Sequence, residues 1–162
     1  MATAFDKHTK DLFAAVNAHD VEQFLSLHTD DIIVENVALG TISRGKEAVR
    51  ANLERNFAAI PDYRIELTSC FASGDRQWEE YVACGTHEGE FMGIPATGKS
   101  FSFRVTTVRE LRNGKTSHVS VYYDSASLMR QLGVLPQLLG NRMQSPYAGC
   151  STKSLYSERP FA

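Results

Sequence analysis

Between residues 63 and 124 the chain reads as four segments that are separated by turn residues. For much of their length these segments carry apolar residues at every second position, which is the period of a strand with one buried face. The dipeptide Asn113-Gly114 separates the last two segments, and it is a strong short-range signal for a hairpin. The sequence therefore predicts a meander of four strands, "YRIELTSCFAS", "RQWEEYVACGTHEGEF", "SFSFRVTTVREL" and "SHVSVYYD".

The first sixty residues show helical spacing instead. Apolar residues recur at helical intervals over 3–18 and 45–59, and Pro61 ends the second pattern. Between them, Asp20 is a predicted N-cap for a short helix, and "DIIVENV" is a short β-rich segment. A last helix, "SASLMRQLG", is predicted to end at Gly133. Helices followed by a meander predict an α+β fold, with helices on one side of a curved antiparallel sheet.

Composition places the chain among ordinary globular proteins, because 43% of its residues are apolar and 22% are charged. We expect one domain over 1–135 and a wrapped or poorly ordered tail over 136–162, where periodicity is lost. The net charge of −2 argues against nucleic acid as a partner. No apolar run is long enough to cross a bilayer, and the N-terminal segment is charged. We therefore expect a cytoplasmic protein that does not bind membranes.

The stretch "GIPATGKS" over 93–100 matches the phosphate-binding pattern G-x-x-x-x-G-K-[ST]. That mechanism requires a helix that opens at Lys99-Ser100, but "SFSFRVTTV" has the alternation of a strand. We interpret the stretch as a turn, in which Pro95 fixes φ and Gly98 permits a positive φ. The sequence predicts no nucleotide site, and no histidine or carboxylate spacing supports a metal site.

Five segments together resemble the SnoaL-like polyketide cyclase (ester cyclase) family. They are "NAHDVEQFLSLHTDDIIVEN", "SRGKEAV", "GTHEGEFMGIPATGKSF", "RNGKTSHVSVYYD" and "SLMRQLGVLP", and the resemblance covers residues 5–136. It implies a cone-shaped α+β barrel in which the curved sheet wraps three helices around a deep, mostly apolar pocket. It also implies a homodimer that pairs through the sheet. Cyclases of this family use acid/base chemistry without a cofactor or metal: a proton leaves carbon, and the enolate adds to a carbonyl.

The resemblance can be carried over residue by residue. Asn52 falls where characterised cyclases keep an asparagine, and His87 lies in a shared His-x-Gly-Glu element. The acid/base aspartate of those cyclases falls on Val121, its partner histidine on Thr107, and a pocket tyrosine on Val16. Most of the known catalytic set is therefore replaced in this chain.

Ketosteroid isomerases share the fold, and their general-base aspartate follows a "DD-x-x-x-E" stretch. In this chain "TDDIIVEN" places Asn36 at that position, and an amide does not accept a proton at neutral pH. The isomerase mechanism is therefore not carried over as it stands.

Two residues are candidates for proton transfer. His87 is a candidate because histidine is the residue type most often used for proton transfer, although it could equally be a hydrogen-bonded histidine that orients the "EGEF" turn. Asp124 could replace the missing aspartate if it faces the pocket, and its other interpretation is an N-cap of the last helix.

The remaining candidates would bind substrate. Trp78 and Tyr81 lie on opposite faces of a strand by alternation, so only one should line the pocket. Core packing is the alternative role for each aromatic residue, and the acidic run over 79–90 reads as a solvated strand face. The candidate substrate-binding residues are Asn36, Asn52, Trp78, Tyr81, Phe103, Thr107, Val121 and Tyr123.

Two functions are consistent with these residues. One is a cofactor-independent cyclase, isomerase or dehydratase that acts on a polyketide-like or other apolar oxygenated small molecule. The other is a non-catalytic module of the same fold that binds a small ligand or mediates association. A pocket that holds His87 together with a carboxylate would favour the enzyme.

Overall fold

The computed structural model describes residues 4–136, and the tail expected over 136–162 lies outside them except for its first residue. The three N-terminal helices and the four-strand meander are present, but the second strand, predicted over 76–91, ends at Thr86. The elements are α1 (Ala4–Asn17), α2 (Val21–Ser26), β1 (His28–Asn36), β2 (Thr41–Arg44), α3 (Gly45–Ala59), β3 (Arg64–Ser73), β4 (Arg76–Thr86), β5 (Ser100–Arg112), β6 (Lys115–Tyr123) and α4 (Ser125–Leu132). Within 4–136 no helix is long and apolar enough to span a membrane.

The sheet has six strands in the order β2-β1-β6-β5-β4-β3, so it is unclosed and has β2 and β3 at its edges. The α+β class is confirmed, but the sheet is mixed rather than wholly antiparallel. β1 runs parallel to β6, because the chain returns to that edge only after α3 and the meander are complete. The other neighbours pair antiparallel. Register shifts within β3 and between β5 and β6 mark bulges, which bend strands and favour a curved sheet.

Local capping chemistry sets the helix boundaries. The Asp20 carboxylate accepts a hydrogen bond from the Gln23 backbone N–H and begins α2. At the other end of the domain, Gly133 has a φ of +78° and closes α4 in the left-handed conformation. The turn interpretation of "GIPATGKS" is also confirmed: β5 begins at Ser100, and Gly98 has a φ of +66°.

The helices pack on the inner face of the sheet, which we define by its buried residues on β4, β5 and β6. Leu12, Phe13 and Val16 of α1 pack against residues of β3, β4 and β5 in one apolar cluster. Leu128 and Leu132 of α4 cover Phe101 at the other end of β5. The core therefore leaves the middle of the inner face, between α1, α3 and α4, to line a cavity.

The outer face carries a row of exposed apolar residues. Phe71 on β3 pairs with Trp78 on β4, and Trp78 pairs with Val108 on β5. Phe71 is 64% exposed and Trp78 is 46% exposed, which is unusual for side chains of this size. We call Phe71, Trp78 and Val108 the outer row.

Candidate active site

A cavity of about 490 Å³ lies between the inner face and the helices. This volume suits a small organic molecule. The walls are mostly apolar, and every helix and strand contributes to them together with the connection between β4 and β5. Among the apolar lining residues are Val16, Leu53, Phe57, Phe103, Val105 and Val121.

One end of the cavity opens to solvent. The exposed lining residues Thr41, Arg55, Glu90 and Met92 define this mouth. The connection between β4 and β5 is tied to α3 here, because the backbone N–H groups of Glu88 and Gly89 both donate to the Ala59 carbonyl oxygen over 2.9 Å. The connection between β4 and β5, on one side of the mouth, is thus attached to the C-terminal end of α3, on the other side.

Three tyrosines are among the residues that line the mostly apolar cavity, namely Tyr63, Tyr81 and Tyr123. Burial raises the pKa of each phenol, because an apolar environment disfavours the phenolate. All three are therefore protonated at neutral pH and can donate hydrogen bonds. The Asn36 amide donates to the Tyr123 hydroxyl oxygen over 3.4 Å, so these two candidates lie together.

Asn52 lines the cavity from α3, but its amide is already engaged. Its Nδ2 donates to the Ser43 hydroxyl over 2.6 Å, and its Oδ1 accepts from the Arg55 guanidinium. Asn52 therefore joins β2 to α3 near the mouth, and a ligand would have to compete for its amide.

The enclosed end of the cavity holds a buried ion pair. Nε of Arg109 donates to Glu79 Oε2 over 2.8 Å, and both side chains are almost fully buried. Thr107 donates to the same carboxylate oxygen over 2.8 Å, and Thr9 of α1 donates to the other oxygen over 3.2 Å. Thr107 and Arg109 line the cavity, while Glu79 lies behind them. The carboxylate is thus held by three donors from two elements.

Two buried histidines lie beyond this pair. Burial, and next the positive charge of Arg109, lowers the pKa of His8. The same two causes, in the same order, lower the pKa of His28 to about 3. Nε2 of His8 lies 2.9 Å from the Thr116 hydroxyl, and Nδ1 of His28 donates to the Phe24 carbonyl oxygen over 2.7 Å. Both rings are therefore neutral at physiological pH.

The structure brings together seven of the ten candidate site residues. Trp78 and Tyr81 lie on opposite faces of β4, as alternation predicts, and Tyr81 is the one that lines the cavity while Trp78 lies on the outer face. The seven lining residues are Asn36, Asn52, Tyr81, Phe103, Thr107, Val121 and Tyr123. Trp78, His87 and Asp124 are not among the residues that line the cavity.

His87 is fully buried beside the cavity rather than in its wall. The Thr97 hydroxyl lies 3.0 Å from Nδ1, and the Thr97 backbone N–H donates to the same nitrogen over 3.3 Å. The ring meets Phe91, a lining residue, edge to face with 6.2 Å between centroids. These contacts fit the alternative interpretation, in which the histidine orients the connection between β4 and β5.

Asp124 has the contacts of an N-cap. Its carboxylate accepts a hydrogen bond from the Ser127 backbone N–H over 2.9 Å, and its side chain is 65% exposed. Its second oxygen lies 3.7 Å from the Arg130 guanidinium. The positions of His87 and Asp124 do not support the proton-transfer roles expected from the sequence.

The sequence analysis missed Arg109, Glu79 and Tyr63. It interpreted the acidic run as a solvated face, yet Glu79 is fully buried. A signal was available, because Gln77, Glu79 and Tyr81 alternate on one face of β4 and Tyr81 was already a candidate for the pocket. Within residues 4–136 no cluster of His, Cys, Asp or Glu could hold a metal ion.

Known proteins share this fold and parts of this sequence. A family model described as SnoaL-like polyketide cyclase matches residues 7–132. IdmH, a candidate polyketide cyclase from Streptomyces antibioticus, is 26% identical with a TM-score of 0.70, and the alignment covers 82% of this chain and 99% of that chain. AclR, a candidate hydroxylase from Streptomyces galilaeus, is 25% identical with a TM-score of 0.71, over 80% and 96% of the two chains.

A protein of ketosteroid isomerase-like fold from Catenulispora acidiphila is 22% identical with a TM-score of 0.70, over 80% of this chain and 94% of that chain. At this identity the likeness concerns the fold alone. No curated protein sequence matches the chain.

Proposed function

Because the chain belongs to the SnoaL-like polyketide cyclase family, we propose that it is a cofactor-independent cyclase or isomerase. Its substrate is an apolar oxygenated small molecule, polyketide-like in character, that fills the cavity. The observation that carries the proposal is the set of three protonated tyrosines, Tyr63, Tyr81 and Tyr123, among the residues that line a mostly apolar cavity. The likeness to IdmH supports the substrate class.

The proposed chemistry develops negative charge on a carbonyl oxygen. Fixed donors in a mostly apolar cavity stabilise that charge without having to reorganise during the reaction. A cavity of this size also holds a flexible ligand folded, so that a nucleophilic carbon lies near the carbonyl it attacks. Glu90 is the one carboxylate among the lining residues in the described part of the chain, and it takes the proton from a carbon near the mouth.

Hydrogen exchange at carbon tests this proposal. α-Tetralone is an apolar ketone whose α-hydrogens exchange with D₂O through the enolate, and NMR follows the exchange. We expect the protein to accelerate exchange, and we expect Val121→Trp, which fills the cavity, to abolish the acceleration. Tyr123→Phe and Glu90→Gln should each slow exchange. Tyr122→Phe is a matched control, because Tyr122 is the exposed neighbour on the outer face.

The second candidate function is ligand binding without catalysis. It is favoured by one observation: within 4–136 the lining residues include no histidine, and Glu90 lies at the exposed mouth rather than inside. The same measurements separate the two functions. Binding of α-tetralone that Val121→Trp prevents, without accelerated exchange in the unaltered protein, would favour the non-catalytic module.

We also propose that two copies pair through the outer face, as the resemblance implies. The exposed outer row, Phe71, Trp78 and Val108, supports this arrangement, because aromatic side chains are enriched at protein interfaces. Such pairing would leave the mouth of each cavity accessible, since the mouth residues lie on α3, on the edge strand β2 and in the connection between β4 and β5, away from the outer row.

A further inference from the structure

We infer that Arg109 binds a carbonyl oxygen of the ligand at the enclosed end of the cavity, and that Glu79 is the positioning residue that aims its guanidinium. This inference rests on the proposed function, and it specifies the group that enters the cavity first. The ligand class is an apolar ring system with a ketone, quinone or enol oxygen at its leading end.

The first observation is the unused donors of Arg109. The guanidinium donates through Nε to Glu79, and its two terminal Nη groups have no hydrogen-bond partner among residues 4–136. The residue is only 5% exposed and lines the cavity, and its Nη atoms are not among the fully buried atoms that lack a partner. They are therefore open to the cavity, where an acceptor on the ligand gains a charge-assisted hydrogen bond.

The second observation is the rigidity of the pair. Glu79 accepts from Thr107 on β5 and from Thr9 on α1 in addition to Arg109. A carboxylate with three donors cannot swing away, so the guanidinium it holds keeps one orientation. A donor fixed in this way is suited to charge that appears during a reaction.

The third observation is the balance of charge. Arg109 and Glu79 neutralise each other, and the neighbouring His8 and His28 are neutral because burial lowers their pKa. The enclosed end thus carries no net charge to attract a permanent anion. It offers strong donors to a neutral carbonyl and to the partial negative charge that develops on it.

Fluorenone and fluorene test the inference, because they differ in one carbonyl group on the same ring skeleton. We expect the protein to bind fluorenone about tenfold more tightly than fluorene, as for one hydrogen bond to a charged group. Titration calorimetry gives both dissociation constants. The ratio of the two is the readout, since general structural damage weakens both probes together.

Arg109→Met should bring the ratio close to one, but it leaves Glu79 buried without its partner. The double variant Glu79→Gln/Arg109→Met removes both charges and keeps the measurement possible if the single variant fails to fold. Arg104→Met is the matched control, because Arg104 is exposed on the outer face of the same strand. We expect the control to retain the unaltered ratio.

The role of Glu79 has a separate readout. Glu79→Gln removes the neutralising charge, so we expect this variant to bind fluorene carboxylate at least tenfold more tightly than the unaltered protein does. An unchanged affinity for fluorene carboxylate would show that Glu79 does not set the charge that a ligand meets at Arg109.

The outcomes are distinct. If neither fluorenone nor fluorene binds, the proposed function fails and this inference fails with it. If both bind and the double variant keeps the preference for fluorenone, Arg109 does not bind the carbonyl, while the proposed function stands.

Discussion

Nε of Arg109 lies 2.8 Å from Oε2 of Glu79, although thirty positions separate the two residues in the sequence. β4 and β5 pair antiparallel, and the register sets Gln77 opposite Arg109 and Glu79 opposite Thr107. The arginine therefore reaches diagonally along the inner face to the carboxylate. Such a pair contributes little net stability, because both charges lose their water. The pair matters for the site instead, because it holds the Arg109 guanidinium in one place at the wall of the cavity.

Removing one partner of this pair should cost far more than removing both. We expect Arg109→Met to lower the free energy of unfolding by about 3–5 kcal/mol, because it leaves a buried carboxylate unpaired. The double variant Glu79→Gln/Arg109→Met should recover a large part of that loss. Urea unfolding followed by circular dichroism measures both together with Glu79→Gln alone, and a loss in the double variant equal to the sum of the two single losses would show that the two side chains are not coupled.

Acid should destabilise the protein through His28. Its pKa is about 3 in the folded chain and 6.5 without burial, so the unfolded state alone binds a proton between these values. The stabilisation is therefore complete above pH 6.5 and is lost as the pH falls below it, by up to about 1.4 kcal/mol per pH unit. His28→Asn keeps a donor near Phe24 and should make the dependence shallower. An unchanged slope in urea titrations from pH 7 to pH 4.5 would contradict this assignment.

Asp124 should matter for stability and not for chemistry. Asp124→Ala removes the acceptor for the Ser127 N–H and should cost about 1 kcal/mol, while Asp124→Asn retains a good N-cap. Neither variant should change the exchange of α-tetralone. A stable Asp124→Asn protein with lost exchange would instead restore the proton-transfer role expected from the sequence.

Gly89 should tolerate no side chain. A Cβ at this position would lie 2.8 Å from Cα of Ala59 and 3.0 Å from the Ala58 carbonyl oxygen. Gly89→Ala should therefore lower the free energy of unfolding by about 1–3 kcal/mol. Glu88→Ala, the exposed neighbour in the same connection, is the control and should be close to neutral. Thermal unfolding of the two variants decides the comparison.

The outer row should control association. Replacing Phe71 or Trp78 by Glu places a charge among exposed aromatic side chains and should favour the monomer. Val37→Glu is the control, because Val37 is similarly exposed but lies in the turn between β1 and β2. Light scattering after size-exclusion chromatography gives the mass of each particle. A monomeric unaltered protein, or a dimer that withstands both outer-row substitutions, would refute pairing through this face.

Local chemistry made much of this fold predictable. The helix over 45–59 was bounded correctly by its apolar spacing and by Pro61, and the caps at Asp20 and Gly133 act as expected. β2 was missed, because a four-residue edge strand with mostly exposed side chains has no detectable period. The parallel pairing of β1 with β6 was missed for another reason. It joins residues more than eighty positions apart, and no local pattern encodes that contact.

The sequence predicted several residues that line the cavity, but it did not predict the buried ion pair of Glu79 and Arg109. Alternation placed Phe103 with Thr107, and Val121 with Tyr123, on one face of each strand, and it left either Trp78 or Tyr81 for the pocket. Tyr81 and the other four residues line the cavity. The pairing of Glu79 with Arg109 depends on the register between two strands, which residue types alone do not reveal. His87 was chosen as a candidate because histidine often transfers protons in enzymes. Whether a histidine lines a cavity depends on tertiary packing, which the residue type does not reveal.

The attachment of Glu88 and Gly89 to the Ala59 carbonyl oxygen has a consequence for how such a protein can diversify. The loop beyond this anchor supplies Glu90, Phe91 and Met92 to the mouth, while the strands on either side keep their own ladder of hydrogen bonds. Insertions or exchanges in the loop can therefore alter which molecules enter without disturbing the sheet. Because of this anchor, the residues that select the ligand can change in evolution while the sheet and helices that hold the cavity stay the same.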